Sequence, residues 1–148
     1  MKTIVPAGAI LLSESPLVIL MDTGARADPL DATVAALSPT QRQSFLSLSH
    51  FSRNPNESTH RSIVYCNGYS IMKDMATGVF ETASRINHSC APNSGYLWKE
   101  SIGKMVFWNW SKLLKGEEVT VDYGHEKGQL KRIYGFECQC GGESEFPN

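Results

Sequence analysis

Apolar residues in this chain come in short runs, and the runs differ in kind between its first part and its second half. From Ile4 to Leu20 they are broken at Ala7-Gly8 and Ser15-Pro16, which reads as two strands joined by a turn, with no helical spacing. Ala32 to Leu37 then suits a short helix. Ser38-Pro39-Thr40-Gln41 supplies an N-cap, a Pro at the first helical position and a capping-box Gln, which predicts a helix from about Pro39 to His50. Its apolar side carries Phe45, Leu46 and Leu48, and it ends before the loop residues Arg53-Asn54-Pro55-Asn56. His60 to Cys66 fits a second short helix, after which Gly68, Gly78 and Gly95 punctuate short strands and turns.

Beyond Gly95 the pattern turns β-like. Ser94 to Trp98 and Met105 to Trp110 are aromatic-rich runs separated by Lys99-Glu100-Ser101-Ile102-Gly103-Lys104, a charged hairpin connection. Lys115-Gly116-Glu117 makes the next turn, Val119 to Tyr123 alternates as a half-buried strand does, and Gln129 to Tyr134 suits a last helical turn or two. With no internal repeat, the pattern predicts a mostly β architecture of several small sheets with inserted short helices.

Composition narrows the function classes. A length of 148 residues matches one ordinary domain, and 41% hydrophobic with 20% charged residues is ordinary globular usage. Fourteen basic residues against fifteen acidic ones give a net charge of -1, which argues against direct nucleic-acid binding through phosphates. Pro6, Gly8 and Glu14 interrupt the apolar start, so it reads as core strands rather than a secretory or membrane segment. The cysteines are Cys66, Cys90, Cys138 and Cys140. A Cys-x-Cys pair suits a shared metal better than a mutual disulfide, and an intracellular location, nuclear or cytoplasmic, is expected.

Three clusters carry candidate chemistry. Arg85-Ile86-Asn87-His88-Ser89-Cys90-Ala91-Pro92-Asn93 packs almost every ligand-orienting polar type into nine residues. Alone, its His-x-Cys pair is open to three readings: half a zinc site, a nucleophile with its base, or a hydrogen-bonded turn. Lys115 to Gly124 is by itself a turn and a strand whose Tyr123 emerges at a Gly. Phe136-Glu137-Cys138-Gln139-Cys140-Gly141-Gly142 places two thiols across a tight bend.

In this order and spacing, RINHSCAPN, GEEVTVDYG and YGFECQC resemble the signature motifs of SET domains, the lysine methyltransferase family. PAGAILLSESPL resembles the family's early strands, and the helical segment from about 30 to 66 resembles the insertion of its SET and MYND branch and fungal relatives, without a MYND finger. The resemblance implies a SET domain over residues 1-134, a C-terminal pseudoknot that threads the Tyr123 segment beside Asn87-His88, and a partial post-SET segment over 135-148. The family's Gly-x-Gly, expected just before the strand at Lys2, is not in this sequence, so an N-terminally truncated domain is expected.

The resemblance further implies S-adenosylmethionine as cofactor, held by Asn87 and His88 with Arg85 and Tyr123 beside them, and Tyr123 as the catalytic residue. The partner implied is a protein substrate, histone or non-histone, with a target lysine. Methyl transfer to an uncharged amine is mainly a task of positioning, and an apolar channel keeps the lysine neutral. Tyr96, Trp98, Phe107 and Trp108 are candidate channel walls, with at least half of them expected in the core. Cys90, Cys138 and Cys140 would be three ligands of a structural zinc whose fourth is missing from the pattern; Glu143 is the candidate replacement. Cys66 is expected as a small buried side chain. Two other functions stand beside this one: a catalytically silent SET-like interaction module, and a Cys90-His88 hydrolase, against which residues two apart on one segment rarely pair a thiol with an oriented base.

Overall fold

The structure is a computed structural model that describes residues 4-21, 29-52 and 55-124. In chain order its elements are β1 (Ile4–Val5), β2 (Ile10–Glu14), β3 (Val18–Met21), α1 (Leu30–Ala35), α2 (Pro39–Leu46), α3 (Thr59–Asn67), β4 (Tyr69–Ile71), β5 (Ala76–Val79), a 3-10 turn (Ala83–Arg85), β6 (Asn87–His88), β7 (Ser94–Lys99), β8 (Lys104–Asn109), β9 (Leu113–Leu114) and β10 (Thr120–Val121). The result is a mixed fold of several small sheets, mostly antiparallel, with short helices. No helix among the described residues is long and apolar enough to cross a membrane.

The chain divides into two compact units. One, residues 15-85 in the described part, holds the three helices and the antiparallel sheet β3-β5-β4. Val18, Leu30, Val34, Phe45, Leu48, Ile63, Val64 and Val79 form its core. The capping box is present in full: Ser38 Oγ accepts the Gln41 backbone N–H at 3.2 Å, and Gln41 Oε1 accepts the Ser38 N–H at 3.1 Å. The helix stops at Leu46 rather than His50, with Ser47 as its C-cap, and Leu46 turns outward while Phe45 and Leu48 are buried. Ser58 caps α3 by accepting the Arg61 N–H.

The other unit contains residues 4-14 and 86-124 of the described part. The opening apolar run makes three strands, not two, because Pro6-Ala7-Gly8 separates β1 from β2 and Ser15-Pro16 separates β2 from β3. Gly8 takes φ +85, which L side chains rarely adopt. Asn109, fully buried at the end of β8, clamps this turn: its Oδ1 accepts the Ala9 N–H at 2.9 Å, and its Nδ2 donates to Pro6 O at 2.8 Å and Ser111 O at 2.9 Å. The main sheet has the order β2-β8-β7, and β1 pairs with β9. The expected hairpin from Ser94 onward is β7 and β8, in regular antiparallel register from Ser94↔Asn109 to Lys99↔Lys104. The expected strand Val119–Tyr123 is shorter, Thr120–Val121, and the expected helical turn at Gln129–Tyr134 lies outside the described residues.

Candidate functional site

Two two-residue strands meet within the second unit. Strand β10 runs parallel to β6, with Thr120 opposite Asn87 and Val121 opposite His88, and the Ser89 N–H continues the ladder to Val121 O at 2.9 Å. So short a parallel pair has little stability of its own. Asn93 supplies what is missing: its Oδ1 accepts the Thr120 N–H at 3.0 Å, its Nδ2 donates to Glu118 O at 2.8 Å, and its own N–H donates to Thr120 Oγ1 at 3.3 Å.

This junction brings His88 and Tyr123 together across 35 positions of sequence. The Tyr123 N–H donates to His88 Nδ1 at 3.0 Å, and the two rings lie 5.1 Å apart. Because Nδ1 accepts, a neutral ring carries its proton on Nε2, which lies 3.1 Å from Cys90 Sγ and donates to it. Asp122 Oδ1 stands 3.8 Å from the same Nδ1, but that lone pair is already taken, so the imidazole is neutral and the contact is not an ion pair. An imidazole that donates from Nε2 cannot accept a thiol proton there, which removes the geometry a Cys90-His88 hydrolase requires.

The Tyr123 hydroxyl donates to Ile86 O at 2.6 Å. Burial pushes its pKa up to about 12, the negative charge of Glu118 and, more weakly, Tyr96 add to the shift, and a backbone hydrogen bond from His88 opposes it. Tyr123 is therefore a neutral phenol near pH 7, held at its backbone by His88 and at its hydroxyl by Ile86. Burial, with the Asp122 charge second, raises the hydroxyl of Tyr96 as well.

The other expected residues divide. Asn87 is exposed at the strand pair, and its bond among the described residues runs from Nδ2 to Glu118 Oε1 at 2.7 Å. The side chain of His88 is 0% exposed and both its nitrogens are engaged, so what it can offer a ligand is its backbone. Arg85 belongs to the helical unit, where its guanidinium donates to Ser44 O at 3.3 Å, Ser47 Oγ at 3.0 Å and Glu81 O at 3.1 Å. Cys90 is buried. Cys138, Cys140 and Glu143 lie outside the described residues, among which no group of three or more His, Cys, Asp or Glu could hold a metal. Cys66 is only half buried, against the expectation of a buried side chain; its sulfur accepts the Phe51 N–H at 3.2 Å and lies 3.5 Å from the Phe51 carbonyl.

Of the four aromatics, Tyr96, Trp98 and Phe107 share one face of the sheet, while Trp108, opposite Gly95, is on the other. Tyr96 and Phe107 stack obliquely at 5.7 Å, and Phe107 is fully buried in the core. Sequence reading assigned no role to Glu118, Asn93, Asn109 or the Ile86 carbonyl. Glu118 and Asn93 stood inside the quoted motifs, but a hydrogen-bond partner 25 or 31 positions away leaves no local signal.

Residues 4–124 match the SET domain family. This chain belongs to that family. It is 33% identical over 92 residues to the histone-lysine N-methyltransferase ASHR1 of Arabidopsis thaliana, covering 55% of this chain and 19% of that protein. It is 24% identical over 147 residues to the histone-lysine N-methyltransferase set5 of Schizosaccharomyces pombe, covering 94% of this chain and 44% of that protein. The histone-lysine N-methyltransferase SMYD3 of Mus musculus is 28% identical over 88 residues, 52% of this chain and 20% of that protein. The SET domain described here thus spans less than half the length of each of these relatives.

Proposed function

We propose that this SET domain is an S-adenosylmethionine-dependent protein-lysine N-methyltransferase, acting on a histone or non-histone protein, with Tyr123 as its catalytic residue. The observation that carries the reading is the fixed, neutral phenol of Tyr123 beside the Asn87-His88 strand. On this reading the β6-β10 pairing is part of the family's pseudoknot, residues 1-134 form the SET domain and residues 135-148 a post-SET segment. Cys138 and Cys140 would join Cys90 around a structural zinc. A Cys90 sulfur that accepts the His88 Nε2–H suits a thiolate held by a cation.

S-adenosylmethionine, when bound, supplies the electrophilic methyl group. The chain's share of the work is positioning. Asn87, exposed and anchored through Nδ2 to Glu118, keeps its carbonyl oxygen as an acceptor for the cofactor's ammonium end. Tyr123 cannot serve as the base near pH 7, because its pKa lies near 12, so the substrate amine loses its proton elsewhere. What the hydroxyl offers is a fixed dipole beside the amine and methyl, its proton directed to Ile86 O.

The test is a pair of substitutions read by titration calorimetry with S-adenosylmethionine and by methyl transfer to histone substrate. Tyr123→Phe should lower transfer by roughly 100-fold with cofactor affinity nearly unchanged, since the hydroxyl acts in the transition state. Asn87→Ala should instead weaken cofactor binding by about tenfold. Equal transfer by Tyr123→Phe and the parent would remove the assigned role. A parent chain that binds no cofactor would put the silent interaction module in its place.

A further inference from the structure

One face of the sheet β2-β8-β7 carries exposed apolar side chains at its edges, around a buried Val106 and a half-buried Trp108. Regular register puts Tyr96, Met105, Phe107 and Asn109 on one face and Leu97, Val106 and Trp108 on the other, where Ile10 pairs with Trp108 from β2. A sheet with one solvated face normally alternates apolar with polar, yet Ile10 is 64%, Leu97 54% and Trp110 52% exposed. Nor is Trp110 loose. Its Nε1 donates to Pro92 O at 2.8 Å and its backbone N–H to Asn93 O at 3.0 Å. Gly95 makes room for the indoles: a Cβ there would stand 2.7 Å from Trp110 and 3.0 Å from Trp108. An exposed tryptophan oriented by its own hydrogen bond is a prepared contact, with little rotamer entropy left to lose on binding.

The far end of the same face carries a charge problem. Lys99 and Lys104 are direct cross-strand partners on the Leu97-Trp108 side. Side chains so paired have Cβ atoms about 5 Å apart, and like charges there are destabilising. Carboxylates laid over the pair would relieve the repulsion, whereas a lysine-bearing substrate segment would add to it.

We infer that this face docks an amphipathic helix of a protein partner, its apolar stripe on Ile10, Leu97, Trp108 and Trp110 and its acidic residues over Lys99 and Lys104. A helix laid on a sheet face is the ordinary way such a face is covered. From Lys104 to Trp110 the strand runs about 20 Å at ~3.3 Å per residue, which a helix of about 13 residues spans at ~1.5 Å per residue. The inference does not depend on methyltransferase activity.

The probe is a fluorescein-labelled synthetic helix of about 15 residues with leucines at i, i+3, i+4 and i+7 and three glutamates clustered near one end, together with a twin carrying lysines in their place. The full chain should bind the glutamate peptide at least tenfold tighter than the twin, quenching Trp110 fluorescence. The K99E/K104E variant should reverse that preference, and Leu97→Asp, at an exposed position, should abolish binding without changing the circular dichroism spectrum. Equal affinity for both peptides, binding that survives Leu97→Asp, or no binding would overturn the inference. So would concentration-dependent dimerisation that Leu97→Asp abolishes, because the face would then belong to a second copy of the chain.

Discussion

The helical unit of residues 15-85 gathers its buried apolar side chains into one cluster, whereas the unit carrying residues 86-124 combines the buried Met105, Phe107, Leu113 and Val121 with amide side chains that each tie together several backbone groups. In the first, Phe45, Ile63, Val64 and Val79 are each 0% exposed within one apolar cluster. In the second, the strand pair β6-β10 is two residues long, Asn93 and His88 make the bonds that hold residues 118-123 against it, and Asn109 clamps the turn between β1 and β2. Packing is non-directional and tolerates repacking, whereas an amide that satisfies several backbone groups tolerates almost nothing. At the candidate site that exacting geometry is the work of Asn93 and the His88 ring.

The comparison can be broken by experiment. Phe45→Ala removes the largest side chain of the apolar cluster and should cost about 3 to 5 kcal/mol in urea unfolding. Asn109→Ala removes little apolar volume, yet leaves the Ala9 N–H and the Pro6 and Ser111 carbonyls without their partner, for a loss of about 2 to 4 kcal/mol. A loss below about 1 kcal/mol there would mean that packing, not hydrogen bonding, holds the second unit too.

The smallest effect expected is alkaline. Tyr123's folded pKa is raised to about 12 from 10.0, so its contribution is complete below pH 10 and lost as pH climbs through 12. A two-unit shift corresponds to roughly 2 to 3 kcal/mol across that window. Tyr96 shifts in the same direction, so Tyr123→Phe should flatten the alkaline decline without removing it. An unchanged decline in Tyr123→Phe would show that the phenol is not held as described.

Local order was readable in the residues themselves. The Ser38 capping box, the β7-β8 hairpin and the start of α3 depend on neighbours within a few positions, and there the pattern sufficed. Helix ends and strand lengths were less legible: α2 stops short of His50, its last bond tightening to the Leu48 N–H on Phe45 O, and β10 keeps only the two residues that find a partner on β6. The motifs pointed to Asn87, His88 and Tyr123 through family resemblance, because no local rule pairs residues 35 positions apart.

What the sequence by itself determined is therefore most of the short elements, the family, and the three residues that meet at the strand pair. Only the tertiary structure decided the roles inside that set. It turned the His88 ring into a support for Tyr123 and Cys90. It gave Arg85 to the helical unit and put Trp108 on the opposite face from Tyr96. The physical reason is that hydrogen-bond partners, tautomers and side-chain facing are set by groups brought close by the fold, and closeness in space leaves no trace in local periodicity.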